Sequence, residues 1–441
     1  MLSDNQILDL VKEHELKTIL LQFVDIKGTM KSIAVPVNQI SDILENRITF
    51  DGSSVSGFRD NETSDLFLYP DKSTFFIFPN SIPNLRGSAR FICDICNSDG
   101  SYFAGCVRSN LKRVKQMALD KDYEMFVAPE LEFFLFKLDA SNSIIENEFN
   151  SIGYYDFDYS FEKENTILSI LDSLEDIGYD IQALHHEAAK FQYEIDLRSD
   201  DILKTADNII TFKFFVKVIA DYYGYKASFM PKPLYGYNGS GLHLNISLLK
   251  DGKDCLFNKN ANNNISDIAL FFVGSLLKNI KGVTAVLNPT INSYKRLVKD
   301  YEAPIYIAWS QVTRSALVRI VNPSDNSLRI ELRSPDAAMN PYMGLAVILQ
   351  CCLDGIRNRV LPPVSIEKNL FSFSSNEIKQ RKIKSLPRNL HTALEEFEKS
   401  LVAKASLGDY IFSEFLSSKK IEWNDYRKQV TPWELTKYLD I

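Results

Sequence analysis

The chain has 441 residues, of which 45% are hydrophobic and 24% charged, as in an ordinary globular protein with enough residues for two or more domains. Its 50 basic and 57 acidic side chains give a net charge of −7, which argues against a nucleic-acid-binding surface. The N-terminus shows no basic and apolar leader, no window approaches 18 consecutive apolar residues, and there are only six cysteines. We therefore expect a cytoplasmic protein with reduced thiols that does not span a membrane.

The first hundred residues predict a short mixed α+β unit. An amphipathic helix comes first, with Ile7, Leu10 and Val11 on one face. Strand-like runs follow at 18–25 and 30–37, and residues 48–58 lack an apolar period and are predicted to form a loop.

The rest of the chain is predicted to mix helices with strands in a larger unit. Apolar patterns indicate strands within 127–136 and 183–197, and helices beginning near Arg108, covering 205–223, ending near Gly282 and covering 392–417. Residues 285–304 have no regular period and many turn-forming residues, which indicates a functional flap more than a linker.

A glycine-rich turn at 238–241 leads into a strand with one polar face. Asparagine and glycine tolerate positive φ and leave backbone amides free to meet a ligand. On the strand, His243, Asn245 and Ser247 alternate with apolar residues and so point to one side. This pattern favours a metal and anion site, and the alternative is a hairpin strand with a solvated face.

Acidic side chains recur on segments that are otherwise apolar. Within 129–136, Glu130 and Glu132 share one face of a predicted strand, and 329–333 repeats the pattern around a single glutamate. If the polar faces meet, one cavity contains His243 together with five carboxylates: Glu130, Glu132, Glu187, Glu194 and Glu331.

Such a cavity requires cations. Desolvating each carboxylate costs on the order of several kcal/mol, and the like charges also repel one another. Oxygen ligands with one imidazole suit Mg²⁺ or Mn²⁺, and this number of ligands indicates two ions or more. The alternative for any one of these strands is a polar face turned to water.

Arginine supplies the complementary charge. Planar guanidinium groups bind phosphate and carboxylate in a bidentate manner, and divalent ions beside arginines are the components of phosphoryl transfer. No Walker loop and no GxGxxG motif occurs, so a P-loop or Rossmann nucleotide site is not predicted. Surface ion pairs are the alternative explanation. The arginines fall within forty residues: Arg296, Arg314, Arg319, Arg329 and Arg333.

Several segments, taken in order over nearly the whole chain, resemble glutamine synthetase in its bacterial type I form. They are Asp51-Gly-Ser-Ser, Pro129-Glu-Leu-Glu-Phe-Phe-Leu-Phe136, His185-His-Glu, Met230-Pro-Lys-Pro-Leu, Asn238-Gly-Ser-Gly-Leu-His, Asn292-Ser-Tyr-Lys-Arg, Tyr301-Glu-Ala-Pro, Arg329-Ile-Glu-Leu-Arg333 and Asn340-Pro-Tyr.

This resemblance implies an α+β fold of two domains. Residues 1–104 are expected to form a β-grasp-like domain, and residues 105–441 a catalytic domain with a curved antiparallel sheet flanked by helices. The resemblance also implies a dodecamer of two stacked hexameric rings. Each active site would lie at a subunit interface, completed by the Asp51 loop of the neighbouring subunit.

The implied reaction joins L-glutamate to ammonia with ATP as co-substrate, through a γ-glutamyl phosphate, using two or three Mg²⁺ or Mn²⁺ ions per site. Position by position, the metal ligands match Glu132, Glu187 and Glu194 for one ion, and Glu130, His243 and Glu331 for another. The glutamate-binding positions match Asn238, Gly239, Arg296, Glu302 and Arg333. The nucleotide-contacting positions match Asn245, Ser247, Arg314, Arg319 and Arg329. The catalytic positions match Asp51 and Glu302, which would bind ammonium and help remove its proton, and Arg314.

The chain also departs from the family pattern. These changes leave the predicted metal ligands in place, and we expect them to affect rate, affinity and regulation. Retention of Asp51 and Glu302 favours ammonia as the acceptor. Two alternatives remain, a paralogue that joins glutamate to a larger amine such as a polyamine, and a weakly active regulatory protein. The departures are Gln182 for a glutamate, Lys190-Phe191 and Lys299-Asp300 for two Pro-Gly pairs, Thr313 for an asparagine, Ala316 for a proline, and Phe371 at the adenylylation tyrosine.

Overall fold

The computed structural model of the chain describes residues 2–55, 57–58, 65–79, 82–141, 143–145, 153–156, 161–299, 301–324 and 327–441. Asp300, one of the departures named above, lies outside the described residues.

The N-terminal domain is a five-stranded sheet with the strand order β2-β1-β5-β4-β3. Strands β1 and β5 pair in parallel and the other pairs are antiparallel. The predicted first helix is present, and a reciprocal capping box between Ser3 and Gln6 fixes its start. The elements are α1 (Asp4–Glu13), β1 (Thr18–Val24), β2 (Met30–Pro36), α2 (Ile40–Leu44), β3 (Thr49–Asp51), β4 (Asp65–Ile77) and β5 (Ser88–Cys96).

Within the predicted loop 48–58, the structure places the short edge strand β3. It pairs with β4 from Thr49 to Asp51, and three residues are too few to show a hydrophobic period in the sequence. The prediction of a loop was wrong for these residues. The strand matters because Asp51 is its last residue.

The second domain contains the remaining elements. Its strands are β6 (Tyr123–Lys137), β7 (Ile181–His186), β8 (Gln192–Leu197), β9 (Asp200–Asp201), β10 (Tyr225–Ser228), β11 (Leu242–Lys250), β12 (Lys253–Asp254), β13 (Tyr306–Ile307), β14 (Trp309–Ser310), β15 (Val318–Ser324), β16 (Ser327–Leu332) and β17 (Lys384–Ser385). Its helices are α3 (Val107–Leu119), α4 (Phe161–Asp176), α5 (Ile202–Tyr222), α6 (Asp267–Leu287), α7 (Ser293–Arg296), α8 (Pro341–Asn358), α9 (Ser375–Gln380), α10 (Leu390–Glu398), α11 (Leu401–Tyr426) and α12 (Pro432–Tyr438).

A ten-stranded sheet forms the framework of this domain, with the central order β14-β15-β16-β11-β6-β8-β7. Its pairs are antiparallel except at one edge, where β14 and β15 run parallel. The expected antiparallel sheet is therefore a mixed one. Helices α5, α6 and α8 contribute long buried faces to the core.

Helix α6 runs five residues beyond its predicted end at Gly282, into the segment assigned to the flap. With 21 residues and a high apolar content, α6 is long and apolar enough to span a membrane. It was not identified as such from the sequence, because charged and polar residues interrupt its apolar runs. However, 72% of its most apolar window is buried inside the fold. It is a core helix that packs against α8 and α10.

Candidate active site

Strand register brings the predicted polar residues together. Residues directly opposite each other on neighbouring strands point to the same face of a sheet. Each of the following pairs lies opposite in the central sheet: His243 and Glu130, Glu132 and Glu194, His185 and Glu194, Asn245 and Glu331, and Arg319 and Glu331.

One group of potential metal ligands contains Glu130, His243 and Glu331, whose ligand atoms lie within 4.8 Å of one another. His243 Nδ1 is 2.9 Å from Glu130 Oε2, and the Asn245 amide donates to Glu130 Oε1 at 2.8 Å. Glu331 is fully buried and accepts hydrogen bonds from arginines 319 and 333. This is the set that the resemblance implied for one ion.

A second group contains His185, Glu187 and Glu194, again with ligand atoms within 4.8 Å of one another. His185 Nε2 lies 3.2 Å from Glu187 Oε1. His185 was not predicted as a site residue, although it lies in the same His-His-Glu segment as Glu187, and that adjacency was the available signal.

Glu132, predicted for the second ion, lies between the two groups. Its Oε2 accepts from the Gln192 amide at 2.8 Å and from the Gly241 backbone N–H at 2.9 Å. Its Oε1 lies 3.8 Å from His243 Nε2. Two hydrogen bonds therefore hold the Oε2 atom, while the Oε1 atom faces the first group.

Position 241, which lies between these groups, requires a glycine. A Cβ built there would lie 2.7 Å from Arg296 Nη2, 2.8 Å from Glu132 Oε1 and 3.0 Å from His243 Nε2. Any side chain at this position would therefore displace the groups that form the floor of the cavity.

The carboxylates differ in pKa because their surroundings differ. Burial would raise the pKa of Glu130, but hydrogen bonds from His243 and Asn245 outweigh it and lower the pKa to about 2. Burial and the charges of Glu132 and Glu130 raise the pKa of Glu194 to about 12. Without a cation, a proton on Glu194 reduces the repulsion between the carboxylates of the second group. The donor atoms of this group fit a divalent ion, which would replace the proton.

We expect the metal-free protein to become less stable as the pH rises from about 6 to about 8. Folded Glu194 holds its proton in this window, whereas the unfolded side chain, with a pKa of about 4.3, does not. The folded state then binds more protons, so stability falls by up to about 1.4 kcal/mol per pH unit as the pH increases.

Added Mg²⁺ would replace that proton and should raise the melting temperature more at the higher pH. Thermal melts of EDTA-treated protein, with and without Mg²⁺ across this range, make the comparison. The control Glu194→Gln is neutral at every pH and should show a flatter profile. Equal stabilisation by Mg²⁺ at all pH values would contradict the expectation.

The site opens into a cavity of about 540 Å³. Arginines line it beside both carboxylate groups, and Arg296 is itself buried, donating to the carbonyls of Ser334 at 2.9 Å and Arg333 at 3.3 Å. The lining includes Glu130, Glu132, His185, Glu187, Glu194, Asn238, Gly239, His243, Arg296, Glu302, Arg314, Arg319, Glu331, Arg333 and Phe371.

The predicted flap meets the glycine-rich turn at the cavity. Glu302 has a φ of 58°, and its Oε2 accepts a hydrogen bond from the Asn238 amide at 3.0 Å. The Lys232 ammonium lies 3.5 Å from the centre of the Tyr301 ring. These contacts hold the flap against the turn.

Four of the predicted site residues do not line the cavity of their own chain. Asn245 lies behind Glu130 and positions it, while Ser247 and Arg329 lie farther along their strands. Asp51 is exposed at the end of β3, where its carboxylate accepts from the Ser53 backbone N–H at 2.9 Å.

Two family profiles match the chain. The profile described as "Glutamine synthetase, beta-Grasp domain" covers residues 15–98, and "Glutamine synthetase, catalytic domain" covers residues 104–438. The chain is 46% identical to a glutamine synthetase of Clostridium saccharobutylicum, over 98% of each chain.

The chain belongs to the glutamine synthetase family.

Other members of the glutamine synthetase family agree with this assignment. A glutamine synthetase of Methanosarcina mazei is 45% identical over 99% of this chain and 97% of its own. The structure named "GmaS/ADP complex" has a TM-score of 0.89 at 30% identity, covering 98% of this chain and 99% of that one. The Plasmodium falciparum glutamine synthetase structure has a TM-score of 0.87 at 25% identity, covering 99% of each. The predicted fold and family are confirmed.

Phe191, in place of a glutamine synthetase glycine, keeps a backbone conformation suited to glycine. Its φ is 67°, between two strands that carry ligands. Its ring is buried against Phe134, Phe136 and Ala189, and the Lys190 ammonium lies 4.7 Å from the ring centre. Packing of the ring thus offsets the cost of a left-handed backbone at this position.

We expect Phe191→Ala to destabilise the protein more than Phe191→Gly. Both changes remove the buried ring, at a cost of about 3 kcal/mol. Only the glycine variant also relieves the left-handed strain, by about 1 kcal/mol. Urea or thermal unfolding of the two variants measures the difference, and a less stable glycine variant would contradict this account of residue 191.

Of the other described departures, Thr313 and Phe371 line the cavity, and none belongs to the carboxylate groups. Thr313 lines the cavity and its hydroxyl lies 2.9 Å from the Ser315 hydroxyl. Ala316 is fully buried beside Ala308, and Gln182 and Lys299 are exposed.

Proposed function

We propose that this member of the glutamine synthetase family joins ammonia to L-glutamate, with ATP as co-substrate, through a γ-glutamyl phosphate. The observation that carries the proposal is the convergence of two carboxylate–imidazole groups and four arginines on one cavity. This arrangement provides charge neutralisation and positioning, which are the main requirements of phosphoryl transfer.

Two or three Mg²⁺ or Mn²⁺ ions would be held by the two groups, with Glu130, His243 and Glu331 in one, and Glu187 and Glu194 with Glu132 or His185 in the other. When bound, such ions supply Lewis acidity and neutralise phosphate charge. The oxygen-rich donor set with one imidazole in each group fits these ions better than softer metals.

Arginine side chains that line the cavity would bind the transferring phosphoryl group. Arg319 and Arg333 are both oriented by Glu331, so their guanidinium groups are fixed before substrate arrives. Arg314 is exposed on the cavity wall and free to approach a nucleotide. From the family resemblance we assign the nucleotide contacts to Asn245, Ser247, Arg314, Arg319 and Arg329, of which Arg314 and Arg319 line the cavity.

Glutamate binding is assigned to the glycine-rich turn and to arginines of the same cavity. Gly239 packs so closely that a Cβ would lie 2.0 Å from the Pro231 carbonyl oxygen, which fixes the path of the turn. We assign Asn238, Gly239, Arg296, Glu302 and Arg333 to this substrate.

Ammonium is no nucleophile until it loses a proton, and a carboxylate is a poor acylating agent until phosphorylation gives it a leaving group. Glu302 at the cavity would attract the cation and accept its proton. Asp51 does not line the cavity of its own chain. We assign it to the site of a neighbouring subunit in a dodecamer of two hexameric rings, residues 1–104 forming the domain that delivers it.

An assay of phosphate release tests the proposal. Purified protein with Mg²⁺, ATP and glutamate should release phosphate when ammonium is added, and form glutamine in equal amount. Release only with alkylamines or polyamines would favour a ligase for larger amines, and no release with any amine would favour a regulatory protein. Either result would overturn ammonia ligation.

A further inference from the structure

A second cavity, of about 430 Å³, lies between helix α5, strand β10 and the turn that joins β1 to β2. None of its lining residues lines the catalytic cavity. Three lysines face it, Lys213 and Lys217 from α5 and Lys226 from β10. We call this cavity the lysine pocket.

The charge of the lysine pocket is not balanced within the described chain. The single acidic residue in its lining is Asp221, and none of the three lysines forms an ion pair with a described carboxylate. Lys213 Nζ has one hydrogen-bond acceptor, the Met339 carbonyl, at 3.4 Å. Three lysine side chains thus converge on one space.

The fold holds these lysines close to one another. Lys213 and Lys217 are one helical turn apart, and their ammonium groups lie 5.9 Å and 5.7 Å from the centre of the same Phe229 ring. Like charges at this spacing repel, and burial together with the charge of Lys217 lowers the pKa of Lys213 to about 7. The charge of the buried Asp336 opposes this shift only in part, because the pKa of Lys213 stays lowered.

The opposite wall of the lysine pocket comes from the N-terminal domain. Gly28 has a φ of 83°, and a Cβ at this position would lie 3.1 Å from Asn340. The Asn340 amide donates to the Asp25 carbonyl at 3.1 Å and so fixes this turn on the second domain. The pocket is therefore a built space between two fixed surfaces.

We propose that the lysine pocket binds a small, multiply charged oxyanion, either a phosphate or a polycarboxylate. Ammonium groups that lack carboxylate partners bind such anions as clustered point charges. This inference does not rest on the proposed function, because the pocket and the catalytic cavity share no residue.

Lysine acetylation, read residue by residue by mass spectrometry, tests the proposal in the intact protein. Inorganic phosphate and citrate are the two probes, each compared with chloride at equal ionic strength. At a probe concentration about ten times the dissociation constant, acetylation of Lys213 and Lys217 should fall about tenfold. Lys204, which is exposed on the same helix, should be unaffected.

Protection by either probe supports the oxyanion site and identifies its chemistry, and protection by neither overturns it. Binding of phosphate in the catalytic cavity cannot produce this signal, because the readout is at the lysines themselves.

Two variants locate the charge. In Lys217→Gln/Lys226→Gln, Lys213 remains as the reporter, and half-maximal protection should need at least about tenfold more probe. The matched variant Lys204→Gln should leave protection of Lys213 unchanged. If the double variant does not assemble, Lys226→Gln alone makes the same test at an exposed position. Unchanged protection in the variants that fold would overturn the proposal.

Discussion

Replacement of Glu331 by glutamine is expected to lower kcat/KM for glutamine formation by at least about a thousandfold, which corresponds to about 4 kcal/mol of lost transition-state stabilisation. Glu331 is fully buried, belongs to one ligand group and orients Arg319 and Arg333. The variant therefore loses a negative ligand, and it replaces one of the two oxygens that accept from the arginines with an amide NH2 group, which cannot accept. Steady-state kinetics at varied Mg²⁺ should show both a lower kcat and a higher metal requirement.

The matched control is Glu124→Gln, an exposed glutamate on β6, which also carries Glu130. It makes the same chemical change outside the cavity, and we expect near-normal kinetics. Far-ultraviolet circular dichroism and gel filtration would establish that Glu331→Gln is folded and assembled. Near-normal activity in folded Glu331→Gln would contradict a catalytic role for the ligand group that contains Glu331.

Replacement of Glu302 by glutamine is expected to lower kcat with ammonium by about 10² to 10⁴. The side chain keeps its size and its contact with Asn238, but it loses the charge that attracts ammonium and accepts its proton. Hydroxylamine is uncharged at neutral pH and needs no such help before it attacks. The variant should therefore retain far more activity with hydroxylamine than with ammonium.

The ratio of the two activities distinguishes this role from general damage to the flap. Lys299→Gln changes an exposed flap residue that does not line the cavity, and its ratio should match that of the unaltered protein. An equal loss with both acceptors in Glu302→Gln would show that Glu302 supports the flap and does not handle the proton.

Local patterns in the sequence were sufficient to predict much of the site. Glu130, Glu132 and His243 stood out because charged side chains alternated with apolar ones, and the sheet register places His243 directly opposite Glu130. Such alternation fixes the face of a strand but not its partner strand. The meeting of these strands therefore followed only from the family resemblance.

Other features depend on tertiary packing. His185 completes a ligand group because β7 pairs with β8 in a register that places it opposite Glu194, and register is set by tertiary packing. The left-handed backbone of Phe191 is held by a hydrophobic cluster from distant segments. The lysine pocket likewise is formed by residues of both domains, so the spacing of its lysines along the sequence does not predict it.

Anomalous diffraction from crystals of the protein grown with Mn²⁺ tests most directly whether the acidic groups form a metal centre. We predict strong peaks within coordination distance of Glu130, His243 and Glu331, and of Glu187 and Glu194. A map whose peaks lie elsewhere, with both groups free of metal at saturating Mn²⁺, would contradict the account.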